Sequence, residues 1–161
     1  MDIYAFLDQN KIDYDRYDHP AVFTCEQARE MVPDLPAAET KNLFVKDKKG
    51  RLHMLVVVGY DKSVDLKALS EVLGVGRLGL ASPDRLKRFL GVEPGSVTLL
   101  ALVNDTEHVV EVVVDADVWK ADALRCHPLV NTSTLVIGRD DMERFFGITQ
   151  HTWTVVDVPG R

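Results

Sequence analysis

Five histidines (His19, His53, His108, His127 and His151) and two cysteines (Cys25 and Cys126) are the side chains best suited to bind a metal or attack a substrate. The histidines lack metal-ligand spacing, and two cysteines make neither a zinc site nor a disulfide framework. No Gly-x-Gly-x-x-Gly, P-loop, Gly-x-Ser-x-Gly elbow or His-Glu-x-x-His motif is present. What remains are single groups in telling places. Lys41 opens an otherwise apolar strand after an acidic, proline-containing loop, a placement that suits the mouth of a pocket held by a sheet. His127 lies between elements and is stiffened by Pro128, and such loops often carry binding groups. Cys126 beside it pairs with the imidazole only if the two side chains converge, and sequence neighbours generally diverge. Cys25 in the first turn of a helix has the position of an activated thiol, although free cysteine usually serves as a small buried filler.

The elements that position these groups follow from spacing and turn chemistry. Asp2 caps a first helix carrying Ile3, Phe6 and Leu7, ending near Asn10. Residues 12–17 read as a short strand, with a turn at Asp18-His19-Pro20. Thr24 and Gln27 have capping-box spacing for a helix with Ala28 and Met31 inward, which stops before Pro33. Two strands then meet at the turn Asp47-Lys48-Lys49-Gly50, where Lys48 and Lys49 keep the edge soluble. Asp65 caps a helix with Leu66, Leu69, Val72 and Leu73 inward, closed by Gly74. A short strand at 78–81 leads to Ser82-Pro83, a strong helix start, and that helix ends at Gly91. Residues 97–103 and 109–114 read as two strands of a hairpin. A helix within 115–123, an irregular segment 126–131, a strand at 133–137, a helix capped by Asp140 and stopped by Gly147, and a strand at 152–158 complete the chain. Strands occur in adjacent runs without regular βαβ alternation. The expected class is therefore α+β, one domain over residues 1–161 with a curved mixed sheet flanked by helices.

Size and composition restrict the function. With 161 residues, 46% hydrophobic and 27% charged, the chain has an ordinary globular composition and can build its own core. No apolar run reaches the roughly 20 residues of a membrane helix, and no secretory signal is visible, so the cytoplasm is the expected compartment. A net charge of −6 argues against broad nucleic-acid binding. A local cluster, Lys41, Lys46, Lys48, Lys49 and Arg51, still permits contact with a short piece of RNA such as an end.

Four stretches, taken together, resemble a known family. They are Thr40-Lys41-Asn42-Leu43-Phe44-Val45-Lys46-Asp47, Asp65-Leu66-Lys67-Ala68-Leu69, Gly91-Val92-Glu93-Pro94-Gly95-Ser96-Val97-Thr98 with Asn104-Asp105 after it, and His127-Pro128-Leu129-Val130-Asn131-Thr132. In this order they are similar to the YbaK and prolyl-tRNA-synthetase editing-domain family, and most similar to its freestanding, alanine-specific ProX-like branch. The resemblance implies a hydrolase that deacylates mischarged tRNA in trans, without cofactor or metal. Its partners are the acceptor end of tRNA(Pro) and prolyl-tRNA synthetase, with no role for DNA or membrane. Lys41 falls on the family's critical lysine. A lysine is ordinarily cationic, which makes it an anchor or electrostatic stabiliser and not a base. The family's glycine loop reads Gly-x-x-x-Pro and helps hold the substrate carbonyl. Here it is Gly95-Ser96-Val97-Thr98-Leu99, with the Gly95 and Ser96 amides as donors and leucine in place of proline. Asn42 and His127 are expected to position the amino acid or the adenosine, and Met31 and Phe44 to wall the pocket. The resemblance also implies that the terminal adenosine's vicinal hydroxyl helps activate the attacking water.

Alternatives remain at this level. Cys-tRNA(Pro) or another aminoacyl-tRNA is a second substrate within the family. A hydrolase of small acyl esters, or a non-catalytic module docking on a synthetase, lies outside its known activity.

Overall fold

The run after the hairpin turn is apolar at nearly every position because both of its faces are covered. In the computed structural model, which describes residues 2–20 and 37–161, this run is β3 (His53–Gly59). Leu55 and Val57 enter one core while Met54, Val56 and Val58 enter another on the opposite face. β2 (Thr40–Asp47) pairs antiparallel with it, Lys41 opposite Val58 and Phe44 opposite Leu55. The turn between them forms as its residues dictate. Gly50 takes φ 70° and donates its N–H to Asp47 O at 3.0 Å. The Asp47 carboxylate accepts from Arg51 N at 2.8 Å and Leu52 N at 3.0 Å. Those backbone bonds, that of Leu52 first, hold its carboxyl below the usual range.

β4 (Leu78–Leu80) joins the outer edge of β2 in antiparallel fashion. β5 (Val110–Asp115) and β8 (Trp153–Val156) extend the sheet beyond β3 in parallel, giving the order β4-β2-β3-β5-β8. A second, antiparallel sheet has the order β1-β7-β6, from β1 (Asp15–Asp18), β6 (Ala123–Cys126) and β7 (Ser133–Gly138). The α+β class is as expected and the larger sheet is mixed, with the strands divided between two sheets.

The helices are α1 (Ile3–Gln9), α2 (Leu66–Leu73), α3 (Pro83–Leu90), α4 (Ala116–Trp119) and α5 (Arg139–Thr149). Asp2, Asp65 and Ser82 cap the first three through side-chain bonds to backbone N–H groups. The larger core joins the two sheets through residues of α1, α3 and α5, while α2 contributes Leu69 to the smaller core on the outer face.

Several expectations need correction. Residues 97–103 are not a strand, and no hairpin with 109–114 forms. A 3-10 helix covers Leu99–Asn104, capped by Thr98, and all of its residues from Leu99 to Val103 are buried. A short helix buried all round shows the same unbroken apolar run as a buried strand, so periodicity cannot separate them. β5 pairs with β3 and β8 instead. The helix read within 115–123 is a single turn followed by β6. The last helix starts at a Gly138 cap with Asp140 in its first turn, and it runs through Gly147 to end at Gln150, φ 62°. Val72 is 54% exposed instead of inward. The helix expected over Thr24 to Pro33, with Cys25 and Met31, lies outside the described residues. Among the described residues, no helix is long and apolar enough to cross a membrane.

Candidate functional site

The two sheets are stitched together where β2 begins. Ala38 N donates to Ala123 O at 2.9 Å, and Arg125 N donates to Ala38 O at 3.0 Å. Thr40 Oγ1 donates to Arg125 O at 3.0 Å, and the Arg125 guanidinium lies 3.6 Å from the Glu39 carboxylate. One residue past this seam β2 presents Lys41 and Asn42, and two residues past Arg125 the other strand hands on to His127.

A third segment is tied to the same place. Glu93-Pro94-Gly95-Ser96 forms a turn in which Ser96 N donates to Glu93 O at 3.0 Å and Gly95 has φ 92°. Proline followed by a glycine of positive φ is the signature of a type II turn. After it, Thr98 is fully buried and donates its hydroxyl to His127 O at 2.7 Å, and the His127 ring is hydrogen-bonded to the Val97 backbone. The start of β2, the segment that follows the Gly95 turn and the loop carrying His127 are therefore tied together. The turn also corrects the expected donor set. The Ser96 N–H is committed to Glu93, which leaves the Gly95 N–H, without an internal acceptor among the described residues. A Cβ at Gly95 would meet nothing within 4 Å, so the space beside it is open.

Burial pushes the His127 imidazole down to about 4, with nearby His19 adding to the effect against the opposing Val97 bond. The ring is neutral at pH 7, and its Nδ1 is buried without a partner. Asn42 Oδ1 is likewise buried and unpartnered. Strand pleating sends neighbours to opposite faces. Asn42 thus shares the face of Phe44, toward the core between the sheets, and Lys41 shares the face of Leu43 and Val45. Lys41 is half-buried, with no carboxylate partner among the described residues. Its link to His127 is the backbone it shares with Asn42, not a side-chain contact.

Other expected members fall elsewhere. Phe44 is 5% exposed and packed in the core, with its ring 5.7 Å from that of His53 and 6.3 Å from that of Phe89. Met31 lies outside the described residues. Cys126 is buried, which pushes its thiol up to about 12; the thiolate needed for a cysteine–histidine pair is not available. Among the described residues, no three histidine, cysteine or acidic side chains are grouped to hold a metal.

Thr98 and Thr40 are the members that pattern did not reveal. A hydroxyl before the apolar run at Leu99 is an N-cap cue and was the one available signal for Thr98. The basic cluster at the far end of the hairpin gains Arg85 of α3, whose Nη1 donates to His53 Nε2 at 2.9 Å over the turn. At about 3.3 Å per strand residue, Lys46 lies about 17 Å from Lys41.

Comparison with known proteins adds an independent line. Residues 19–145 match the family model described as an aminoacyl-tRNA editing domain. The chain is 33% identical to the prolyl-tRNA editing protein ProX of Acetoanaerobium sticklandii, over 97% of this chain and 95% of that protein. It is 41% identical to the prolyl-tRNA synthetase associated domain-containing protein 1 of Danio rerio, over 91% of this chain and 80% of that one. Among solved structures, a candidate trans-editing enzyme for prolyl-tRNA synthetase superposes with a TM-score of 0.72 at 18% identity, covering 99% of this chain and 95% of the other.

Proposed function

This chain belongs to the aminoacyl-tRNA editing domain family, and from that premise we propose that it deacylates mischarged tRNA(Pro) in trans, removing alanine and sparing proline. What supports this reading is the tie between Thr98 and His127 at 2.7 Å, with Thr40, two residues before Asn42, bonded at the adjoining seam. It gathers three of the family-like segments into one neighbourhood.

An aminoacyl ester is already an activated acyl group, so the reaction needs placement of water and stabilisation of the oxyanion more than it needs a nucleophilic side chain. Water adds to the ester carbonyl with help from the neighbouring adenosine hydroxyl. The bond between the acyl carbon and the ribose oxygen breaks, and the ribose oxygen takes a proton. The products are a free amino acid and an intact tRNA end. In this reading the free Gly95 N–H faces the oxyanion, and Lys41 supplies the positive charge that anchors the acceptor end. The buried thiol of Cys126 takes no part.

A sieve explains the selectivity. A synthetase pocket shaped for proline discriminates against a smaller side chain by only about 1–3 kcal/mol per methylene. A second site of packed walls admits alanine and blocks the proline ring. The test is a deacylation panel of Ala-, Ser-, Cys- and Pro-tRNA(Pro) with the purified protein. Preference for the alanyl ester is expected. Equal rates on alanyl and prolyl esters would overturn the sieve, and preference for the cysteinyl ester would reassign the substrate.

A further inference from the structure

We propose that His19 is a positioning residue for the deacylation: its ring pins the far end of the loop 127–132 to β1 and so keeps His127 in place. This rests on the deacylase reading above and adds a group that acts on the ester only through another.

The loop is fastened at its near end by Thr98, whose hydroxyl donates to His127 O. Its middle is strained. Leu129 has φ 69°, and of the four non-glycine residues with positive φ among the described residues it alone is apolar. Lys11 and Gln150 stand at the ends of α1 and α5, where a left-handed residue is ordinary. Leu129 has no helix to close. A leucine in that region crowds its Cβ against the backbone, and the conformation persists only where the surroundings over-determine it.

A second fastening lies at the far end. The β1–β7 ladder closes with Asp18 opposite Ser133, whose hydroxyl donates to the Asp18 carboxylate. One residue on, His19 N donates to Thr132 O at 2.9 Å, and His19 Nε2 lies 2.9 Å from Thr134 Oγ1. The other ring nitrogen, Nδ1, donates to Pro20 O at 2.8 Å, which fixes the plane of the ring. Both nitrogens are thus engaged within the protein, as suits a group that holds structure and does not touch the ester. Thr134 is 8% exposed, so its hydroxyl depends on the imidazole for a partner. His19 is also close enough to His127 to lower that ring's affinity for a proton. With both ends pinned, Leu129 is denied its ordinary φ and the loop has one shape. Release of the far pin lets Leu129 relax, and His127 moves with it.

The test is single-turnover deacylation of Ala-tRNA(Pro). His19→Ala should lower the saturated rate by about tenfold, the effect of one lost hydrogen bond, and leave the half-saturating protein concentration unchanged. Thr134→Val removes the other half of the tie and keeps the imidazole. It should lose as much, and the two changes together no more than either alone. His19→Gln, whose amide reaches the position of Nε2, should restore most of the rate. In a Leu129→Gly background His19→Ala should cost less, because glycine takes positive φ without the strain that drives the loop away. His127 itself, followed by NMR, supplies a readout apart from turnover. Its titration midpoint should move up from about 4 in both His19→Ala and Thr134→Val, since a displaced ring gains water. Fully additive losses, or a folded His19→Ala variant with the wild-type rate and an unmoved His127 titration, would overturn the pin and leave the deacylase standing. No turnover of any aminoacyl-tRNA(Pro) by the wild type would overturn both.

Discussion

Lys41 and His127 illustrate how much a single side chain's setting decides. Lys41 is half-buried on the face of β2 opposite Asn42, without a carboxylate among the described residues to neutralise it. In the proposed reading this cation anchors the acceptor end and adds little to the fold. Lys41→Ala should keep its circular dichroism and melting temperature yet lose about a hundredfold or more in single-turnover deacylation, the usual loss for a positioned charge stabiliser. Near-wild-type turnover would remove it from the mechanism. His127 gives a prediction with a definite sign. The unfolded imidazole binds a proton as pH falls below about 6.5, whereas the folded ring resists until about 4. Between those values the unfolded state holds more protons, so stability falls as the pH is lowered through that window and is level above it. His127→Gln cannot titrate there. Its melting temperature should fall less than that of wild type between pH 7 and 4.5, and matching decreases would refute the assignment. These residues can be singled out from the sequence because their motifs are contiguous. Their surroundings cannot, because the pleat that separates Lys41 from Asn42 and the burial that neutralises His127 depend on strands distant in sequence.

At the level of elements, the loop from Gly91 to Leu99 is the most instructive. The position occupied by proline in the resembling family is here Leu99, the first residue of the 3-10 helix, with Thr98 as its cap. Proline is favoured at a first helical position because its missing N–H is not needed there; leucine in that place begins the 3-10 helix under the Thr98 cap and adds a buried side chain. The departure therefore leaves the helix start intact. Thr98 does double duty, capping the helix at Leu100 N and bonding His127 O. Thr98→Val, nearly the same shape, should destabilise the protein by about 1–2 kcal/mol through the lost cap and the orphaned carbonyl. It should also lower kcat/KM for the alanyl ester several-fold by loosening His127. Wild-type activity in a variant measurably less stable would separate the cap from the site. The hairpin, the caps at Asp2, Asp65 and Ser82, and the αL closures at Gly74 and Gly91 were all legible, since each is written within a few residues. The 3-10 helix was misread as a strand because its surroundings hide its period. β6 escaped notice because four residues beside a one-turn helix carry too little pattern.

Across the whole molecule, charge is divided as sharply as structure. A chain of net charge −6 carries Lys46, Lys48, Lys49 and Arg51 at one end of a hairpin, joined there by Arg85. Lys48 and Lys49 are exposed and remote from the seam. Lys48→Ala and Lys49→Ala should leave single-turnover rates at saturation unchanged while each reduces the salt slope of tRNA binding by about one, as loss of a phosphate contact does. Unchanged slopes would return both lysines to the ordinary duty of protecting an edge. The α+β class was legible from the strand order, whereas the division into two sheets was not, because the pairing of β7 with β1 spans most of the chain.

The seam at residues 38–40 has a mechanical consequence. One short length of backbone is bonded to β6 and continues directly into the strand bonded to β3, so it belongs to both sheets at once. The two sheets are held apart by the side chains stacked between them, among them Leu55, Val57, Leu124, Leu135 and Ile137. Those residues act as shims, and under the proposed sieve the cutoff for the accepted amino acid becomes an elastic property of the core. Thinning a shim by one methyl group with Ile137→Val should cost only about 0.5–1.5 kcal/mol of stability. It should also let the sheets settle closer, so that the seryl ester loses more rate than the alanyl ester although no group touching either has changed. An unaltered ratio would show that the gauge is local to the loops.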